Sequence, residues 1–353
     1  MQVDSTGAGA ALPGAAARPG RSATIYDVAS LAGVSHQTVS RYLRNPAGIK
    51  PANRERVRAA IAALDYRPNL AARSLPSGRS HRIGALTQEM DQIGPSQIVL
   101  GAAAAARESG YLLDILSLDM TSPQAIQEAL EVMAVQDLAG ILALGSTDQM
   151  QMAVTDAAYR VPFLSTGEID ETPKAPDSHI SAVGFPALID HLAELGHRDF
   201  LHIAGPQSWP AARNRRRAFE RAVRSRGLRC AGVLPGDWSA RSGHEAIAAM
   251  PPGLRPTAII AANDQMALGA ILALSQRGLR IPEDVSVTGV DDTPESGFFR
   301  PPLTTLRLNF TAQGRSAALR LIQRIEGLSL DPPADIEADL VIRHSTGPAA
   351  PHG

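Results

Sequence analysis

Residues 24–43 read TIYDVASLAGVSHQTVSRYL, and this stretch predicts two short helices joined by a glycine turn. Thr24 is a good N-cap because its side-chain oxygen can accept a backbone N–H of the first turn, and Gly33 suits the turn that ends the helix. Ser35 is expected to cap the second helix, on which Val39 and Leu43 share one side. The other side carries His36, Gln37, Ser40, Arg41 and Arg44. One face of this helix is therefore expected to pack, and the other is free to touch a partner.

A third amphipathic helix is expected after Pro51. Its apolar positions are Val57, Ile61 and Leu64, which recur at i, i+4 and i+7. The arginines at positions 54, 56 and 58 fall outside this stripe. Two short helices about a glycine turn, with a third packed behind them, describe a helix-turn-helix.

Charge is distributed unevenly along the 353 residues. The net charge of the chain is −1, yet residues 21–82 hold eleven Lys or Arg against three Asp or Glu, a local charge of +8. The residues before position 21 are neutral in sum, so the remainder carries about −9. A basic head on an acidic body suits a polyanion that meets only the head.

Composition places the protein in the cytoplasm. The single cysteine, Cys230, excludes an internal disulfide framework and fits a reducing compartment, where we expect the thiol to be inert. Residues 1–22 are rich in Ala, Gly and Pro and lack the basic and apolar regions of a signal peptide, so we interpret them as a disordered tail. No apolar run reaches the length of about 18 residues that a membrane span needs.

Residues 69–81 have the composition of a linker, interrupted by one short helix over Asn69–Leu75. So short a helix is marginal alone, because nucleation costs more than its few hydrogen bonds return. Pro76 stops it, and Leu75 leaves a large apolar side chain in a basic linker.

From Ile83 onward, short apolar runs alternate with helical periods, which is typical of βαβ units and a mostly parallel sheet. The expected strands are 83–87, 112–116, 140–144, 162–165, 200–204, 258–261, 285–290 and 304–306. The expected helices are 98–107, 123–135, 187–195, 213–226, 242–250, 265–276 and 314–325. So many strands indicate two α/β lobes, with a ligand pocket in the crevice between them at the carboxyl ends of the strands. The C-terminus has no leucine heptads, and nothing there argues for a tetramer.

Asn263 and Asp291 follow two of these strands. Asn offers a donor and an acceptor and Asp accepts from two hydroxyls, so both suit a polyol. The alternative is that each caps a following helix. Asp264 and Asp292, one position later, are the better cap candidates.

Three further features could face the crevice. The run of arginines at 213, 215, 216 and 217 is by default a solvated face, although one member could turn inward. Trp238 and Phe310 could stack on the apolar face of a sugar, while core packing is the alternative for both.

Catalysis lacks support in the sequence. The chain has no nucleophile elbow, no phosphate-binding loop and no zinc-protease motif. His191 and His197 are poorly spaced for a metal. We therefore expect no enzyme activity, no catalytic residue, no metal and no cofactor.

Eight segments of the sequence resemble the lactose repressor family of bacterial transcriptional regulators. They are YDVASLAGVSHQTVSRYL, RPNLAARSL, PSQIV, GHRDFLHIAGP, GDWSARSG, AANDQMALGA, VTGVDDTPES and RPPLTTL, and the resemblance runs from about residue 24 to 346. It implies a helix-turn-helix with a hinge helix, followed by a two-lobed α/β core like that of periplasmic sugar-binding proteins. It also implies a homodimer on a palindromic double-stranded DNA operator.

The resemblance assigns roles in the head. His36, Gln37 and Arg41 match base-reading positions, which is apt because Arg pairs with G and Gln with A in the major groove. Positions that hold phosphates are matched by Thr24, Ser35, Thr38 and Asn45. The hinge that folds on DNA is matched by Asn69, Ala72, Arg73 and Leu75, with Leu75 wedged into the minor groove.

In the core, the resemblance assigns effector hydrogen bonding to Arg215, Asn263 and Asp291 and the aromatic walls to Trp238 and Phe310. The first lobe departs from the family's namesake: Gln88 and Gln92 replace Ser and Leu, Leu144 replaces Asn, and Gly167, next to Glu168, replaces an acidic residue. The missing tetramerisation helix implies a dimer. The identity of the sugar does not follow from this pocket.

The resulting domain order is a tail (1–22), a helix-turn-helix (23–68), a hinge and linker (69–81), an effector-binding and dimerisation core (82–346) and a second tail (347–353). The leading hypothesis is a repressor that a sugar or glycoside releases from its operator. One alternative is a family member whose small molecule acts as a corepressor. The other, from a different class, is a soluble sugar-binding transport protein.

Overall fold

The computed structural model describes residues 23–44, 46–66, 80–88, 90, 92–145, 147–156, 160–170, 182–330 and 338–350. The chain divides into two compact units at Arg79/Ser80, a small head and a large core.

The head is built from three helices. They are α1 (Ile25–Ala32), α2 (His36–Arg44) and α3 (Pro51–Ala63), with a 3₁₀ turn at Pro46–Gly48 between the last two. Gly33 ends α1 in the left-handed conformation, with φ of 60°, as the glycine turn predicts. The fully buried side chains of Val28, Val39 and Val57 come from one helix each. The predicted helix-turn-helix and its packed face are therefore confirmed.

The first lobe of the core is a parallel sheet with strand order β2-β1-β3-β4. Its elements are β1 (Arg82–Thr87), α4 (Ile93–Glu108), β2 (Leu112–Ser117), α5 (Pro123–Ala134), β3 (Gly140–Leu144), α6 (Asp148–Asp156) and β4 (Phe163–Ser165).

The second lobe is a larger sheet with strand order β10-β9-β8-β7-β5-β6, parallel except for β10 against β9. Its first elements are α7 (Phe185–Glu194), β5 (Asp199–Ala204), α8 (Pro210–Ser225), β6 (Arg229–Pro235) and α9 (Ala240–Ala248). These are followed by β7 (Ala258–Ala261), α10 (Asp264–Gln276), β8 (Ser286–Asp291), a 3₁₀ turn (Ser296–Phe298), β9 (Thr304–Leu308), α11 (Phe310–Glu326) and β10 (Ala338–Val341).

Each sheet is buried on both faces. In β5, Leu201 and Ile203 join the cluster on one face, whereas Phe200 joins the cluster on the other. This double burial explains why the central strands are continuous apolar runs, as parallel sheets require.

The last helix returns to the first lobe, where α11 packs against α4. A Cβ at Gly314 would lie 1.9 Å from the carbonyl oxygen of Ile98, so only glycine permits this approach. The same packing sets Phe310, at the start of α11, against Gly94 near the start of α4.

The predicted fold class is confirmed, and all the predicted strands and helices of the core are present; β3 and β7 have the predicted ends, and the ends of the others are shifted. Helices α4 and α8 start earlier than expected because Pro95 and Pro210 lie in their first turns, where a missing N–H is tolerated. The sequence analysis missed β6 and β10, which are half-exposed edge strands, and the weakly apolar α6.

At both ends of the core, contacts include residues just outside the predicted limits of 82–346. Ser80 already belongs to the core, where its hydroxyl donates to the carbonyl of Asp137 at 2.7 Å. The expected tail from residue 347 packs against the core at its start, because the carbonyl of Gly347 is bonded to His197 and the N–H of Ala349 to the carbonyl of Leu195. The expected tail at residues 1–22 lies outside the described residues.

No helix within the described ranges is long and apolar enough to cross a membrane.

Candidate functional site

The head presents one polar face of α2 to solvent. His36, Gln37 and Arg41 are all exposed on this face, while Val39 is buried behind them. The ring of Tyr26 lies 5.2 Å from that of His36, so α1 contributes to the same surface. The arrangement leaves side chains suited to base edges free to enter a groove.

Three of the four residues predicted to contact phosphates are described by the structure, at the starts of α1 and α2. Thr24 and Asp27 form a reciprocal capping box at the start of α1. Ser35 caps α2 by accepting from the N–H of Thr38, and the hydroxyls of Ser35 and Thr38 are 2.9 Å apart. Asn45 lies outside the described residues, as do Asn69, Ala72, Arg73 and Leu75 of the predicted hinge.

The core contains a cavity between the two lobes that is open to solvent. Its walls come from the segments at the carboxyl ends of the strands, as predicted for this fold class. The cavity is lined by Gln88, Gln92, Gly94, Pro95, Ile98, Leu144, Gly145, Thr166, Gly167, Glu168, Trp209, Ala211, Arg215, Trp238, Asn263, Asp291, Phe310 and Gln313. The five residues to which the resemblance assigns effector binding, and the two first-lobe glutamines Gln88 and Gln92, are thus brought together at one cavity.

The second-lobe wall is built around a buried ion pair. Arg215 Nη2 lies 3.2 Å from Asp291 Oδ1, and fewer than a tenth of either side chain is exposed. Arg215 also donates through Nη1 to the carbonyl of Ala262. Burial raises the pKa of Asp291 to about 6, although the guanidinium of Arg215 acts in the opposite direction.

Asn263 is both a cap and a wall residue. Its Oδ1 accepts from the N–H of Met266 at 2.9 Å, which caps α10, and its Nδ2 donates to the carbonyl of Trp238. The cap alternative is therefore confirmed, and because Asn263 also lines the cavity, its role as a ligand contact stays a prediction.

Asp264 and Asp292 are not the caps that we expected. Asp264 is buried and accepts from Thr293, Ser296 and Thr305, which ties α10 to the segment after β8. Burial, then the charge of Asp291, raises the pKa of Asp264 to about 7. The carboxylate of Asp292 pairs with two second-lobe arginines, Arg307 and Arg343.

Aromatic rings lie in the cavity wall on the sides of both lobes. The guanidinium of Arg215 lies over the Trp238 ring at 5.3 Å, which fixes the indole in the wall. Trp238 has φ of 75°, a strained backbone for a bulky residue. Phe310 starts α11 and packs on Gly94.

Three polar or aromatic wall residues, Thr166, Trp209 and Gln313, were not predicted from the sequence. Trp209 is the second tryptophan of an aromatic-poor chain, which was the available signal. Arg215 could also have been separated from its neighbours, since Ala212, Arg215 and Phe219 share the buried stripe of α8. The other arginines of the run pair with acidic residues near the surface.

Comparisons with known proteins agree with both units. A family model described as bacterial regulatory proteins, lacI family, matches residues 24–69, and one described as a periplasmic binding protein-like domain matches residues 189–346. The lactose operon repressor of Escherichia coli (strain K12) is 35% identical over 325 residues, which cover 92% of this chain and 90% of that protein.

Solved structures agree as well. The lac repressor dimer bound to operator and the anti-inducer ONPF superposes with a TM-score of 0.77 at 33% identity, covering 93% of this chain and all of that one. A complex of the transcriptional regulator CelR with cellobiose gives a TM-score of 0.66 at 29% identity, covering 92% and 99% of the two chains.

Proposed function

This chain belongs to the lacI family of bacterial regulatory proteins, and we propose that it is a homodimeric transcriptional repressor released from its operator by a neutral sugar. One observation carries the proposal. A helix-turn-helix with an exposed polar recognition face and a cavity with a sugar-compatible wall occur in the same chain. The helix-turn-helix argues against a sugar transport protein, and the relatives are repressors and not enzymes.

In the head, His36, Gln37 and Arg41 would read base edges in the major groove. The support is their shared exposure on α2, together with the bidentate fit of Arg to G and of Gln to A. Thr24, Ser35, Thr38 and Asn45 would hold phosphates and set the register of the head on the duplex.

The hinge would read the minor groove. Asn69, Ala72, Arg73 and Leu75 carry this part of the proposal, with Leu75 as the apolar wedge that bends the duplex. A protein with this task works beside the chromosome, so we propose the cytoplasm as its location. Two heads on a palindrome require a homodimer, and the operator-bound relative is a dimer.

In the core, Arg215, Asn263 and Asp291 would hydrogen-bond the hydroxyls of the sugar, and Trp238 and Phe310 would stack on its apolar faces. Gln88 and Gln92 would complete the first-lobe side with neutral amides. The only cation in the described cavity wall is Arg215, and it is already paired with Asp291. A phosphorylated sugar would therefore lack a free counter-charge.

A thermal-shift screen over neutral mono- and disaccharides tests the effector half of the proposal. A sugar present at 100 times its dissociation constant should stabilise the folded protein by about 2.7 kcal/mol. The matching sugar phosphate serves as the control and is expected to give a smaller shift. Failure of every neutral saccharide in the screen would overturn the sugar assignment.

Selection from a randomised duplex library tests the DNA half. We expect an enriched palindrome whose two half-sites are related by the two-fold symmetry of the dimer. Titrating the screened sugar into the protein–DNA complex then shows the direction of its effect on DNA binding. Release of the DNA indicates an inducer, and tighter binding indicates the corepressor alternative.

A further inference from the structure

Arg213 joins the two lobes of the core. It lies on α8 of the second lobe, two positions before Arg215. Both of its terminal nitrogens donate to the carboxylate of Asp148, at 2.7 and 2.9 Å. Its Nε and Nη2 also donate to the two oxygens of Asp170, at 2.8 and 2.9 Å. Asp148 opens α6 of the first lobe, and Asp170 lies in the segment after β4. One guanidinium therefore holds two carboxylates from the other side of the cleft.

Neighbouring residues on α8 reinforce this contact. Arg217 donates to Asp170 at 2.7 Å, and Asn214 donates to the carbonyl of Ile169 at 2.9 Å. Trp209, one turn before Arg213, packs against the first-lobe apolar cluster that includes Met120 and Met150. The N-terminal half of α8 is thus attached to the first lobe by charges and by an indole.

These contacts border the cavity. Trp209 and Ala211 of the second lobe and Gly145 and Glu168 of the first lobe line it, and each is within a few positions of the ion-paired residues. Separation of the lobes would have to break the Arg213–Asp148 bonds first, because Asp170 lies near the point where the chain leaves the first sheet.

We propose that Arg213 is a latch that holds the cleft closed over the cavity, with Asp170 fixing its guanidinium and Asp148 as the partner released on opening. An effect of this latch on sugar affinity rests on the proposed function, whereas the closure of the cleft by Arg213 does not depend on it. Arg213 is not among the described residues that line the cavity, so it would act as a positioning residue through the closed arrangement.

The electrostatics support a closed resting state. Hydrogen bonding from Arg213 is the main reason that the pKa of Asp170 is lowered to about 2, so this carboxylate stays charged at any physiological pH. Only 16% of the Arg213 side chain is exposed, although both partners are about half exposed. Bidentate geometry of this kind is the case in which a partly exposed pair contributes measurably.

The two tryptophans allow a test without any sugar. In a Trp238→Phe background, Trp209 is the sole tryptophan, and acrylamide quenching of selectively excited indole fluorescence reports its access to solvent. We expect Arg213→Gln to raise the open-to-closed ratio about tenfold and to increase quenching of Trp209. Arg213→Lys should give an intermediate value, because an ammonium cannot span two carboxylates.

The matched control is Arg216→Gln on the same helix, since Arg216 pairs only within the second lobe, with Glu220. Asp148→Asn should reproduce the effect of Arg213→Gln, whereas Asp114→Asn, which breaks a pair inside the first lobe, should not. If Arg213→Gln fails to fold, the comparison of Asp148→Asn with Asp114→Asn decides. Quenching equal to that of the controls would overturn the latch.

This result is independent of the effector. Increased quenching in a protein that binds no saccharide would keep the latch and reject the sugar. Unchanged quenching in a protein that responds to sugar would reject the latch and keep the sugar as the effector.

Discussion

Replacing Asp291 by asparagine removes the one negative charge among the described second-lobe residues of the cavity wall, while keeping the shape of the side chain. Oδ1 is engaged by Arg215, and no described residue donates to Oδ2, which is thus left to accept from a sugar hydroxyl. A hydrogen bond to an ionised carboxylate contributes about 2 kcal/mol, so Asp291→Asn should weaken sugar binding about 30-fold. Operator binding without sugar should persist, which makes the variant resistant to induction.

Titration calorimetry of the purified dimer with the sugar from the screen measures this loss. The control is Asp292→Asn, because Asp292 is equally buried and is also paired with arginine, in its case with both Arg307 and Arg343, but does not line the cavity. Equal losses of affinity in the two variants would refute the assignment of Asp291 as an effector contact. So would wild-type affinity in Asp291→Asn. Sugar binding by the wild type should also weaken as the pH falls through about 6, where the Asp291 carboxylate takes up a proton.

Two other predictions concern the head and the core. Arg41→Ala should weaken binding to the selected palindrome by about 1–3 kcal/mol in fluorescence anisotropy, while Arg58→Ala, whose side chain pairs with Glu55 on α3, should change it little. Burial lowers the pKa of His202 to about 4, so folding favours the neutral ring. The stability that it supports is complete above pH 6.5 and is lost as the pH falls to 4, by about 3 kcal/mol. Urea unfolding across this range should show that slope in the wild type but not in His202→Phe, and parallel curves would contradict the prediction.

Sequence periodicity predicted the buried elements well and the exposed ones poorly. Strand β7 has the predicted ends because both of its faces are covered, which makes its apolar run continuous. Strand β6 is a half-exposed edge strand whose pairing with β5 shifts register after Phe200, so its residues show neither alternation nor a run. Edge strands carry a weaker pattern because solvent replaces one neighbour.

A site residue was predictable where its place between a strand and a helix leaves a local signal in the sequence. Asn263 follows a strand and precedes a helix, so its position was clear although its double use as cap and wall was not. Asp264 shows the limit of local rules. Its three partners come from the segment after β8 and from β9, and such long-range contacts leave no trace in the neighbouring sequence.

The latch was equally invisible before the structure. Arg213 and Arg215 are two positions apart in a run of arginines, and helical geometry sends them to different surroundings. The acidic partners of Arg213 are 65 and 43 positions away, at Asp148 and Asp170. Only the packing of one lobe against the other brings these charges together.

Release of the operator by a core-bound sugar is the property on which the proposed function depends. The direct measurement is the dissociation constant of the selected operator for one protein preparation, with and without saturating sugar at fixed salt. We expect sugar to raise that constant by about 5- to 150-fold, the usual range for coupling between two sites. An operator dissociation constant that stays unchanged, or falls, while calorimetry shows the sugar bound would contradict the assignment as an inducible repressor.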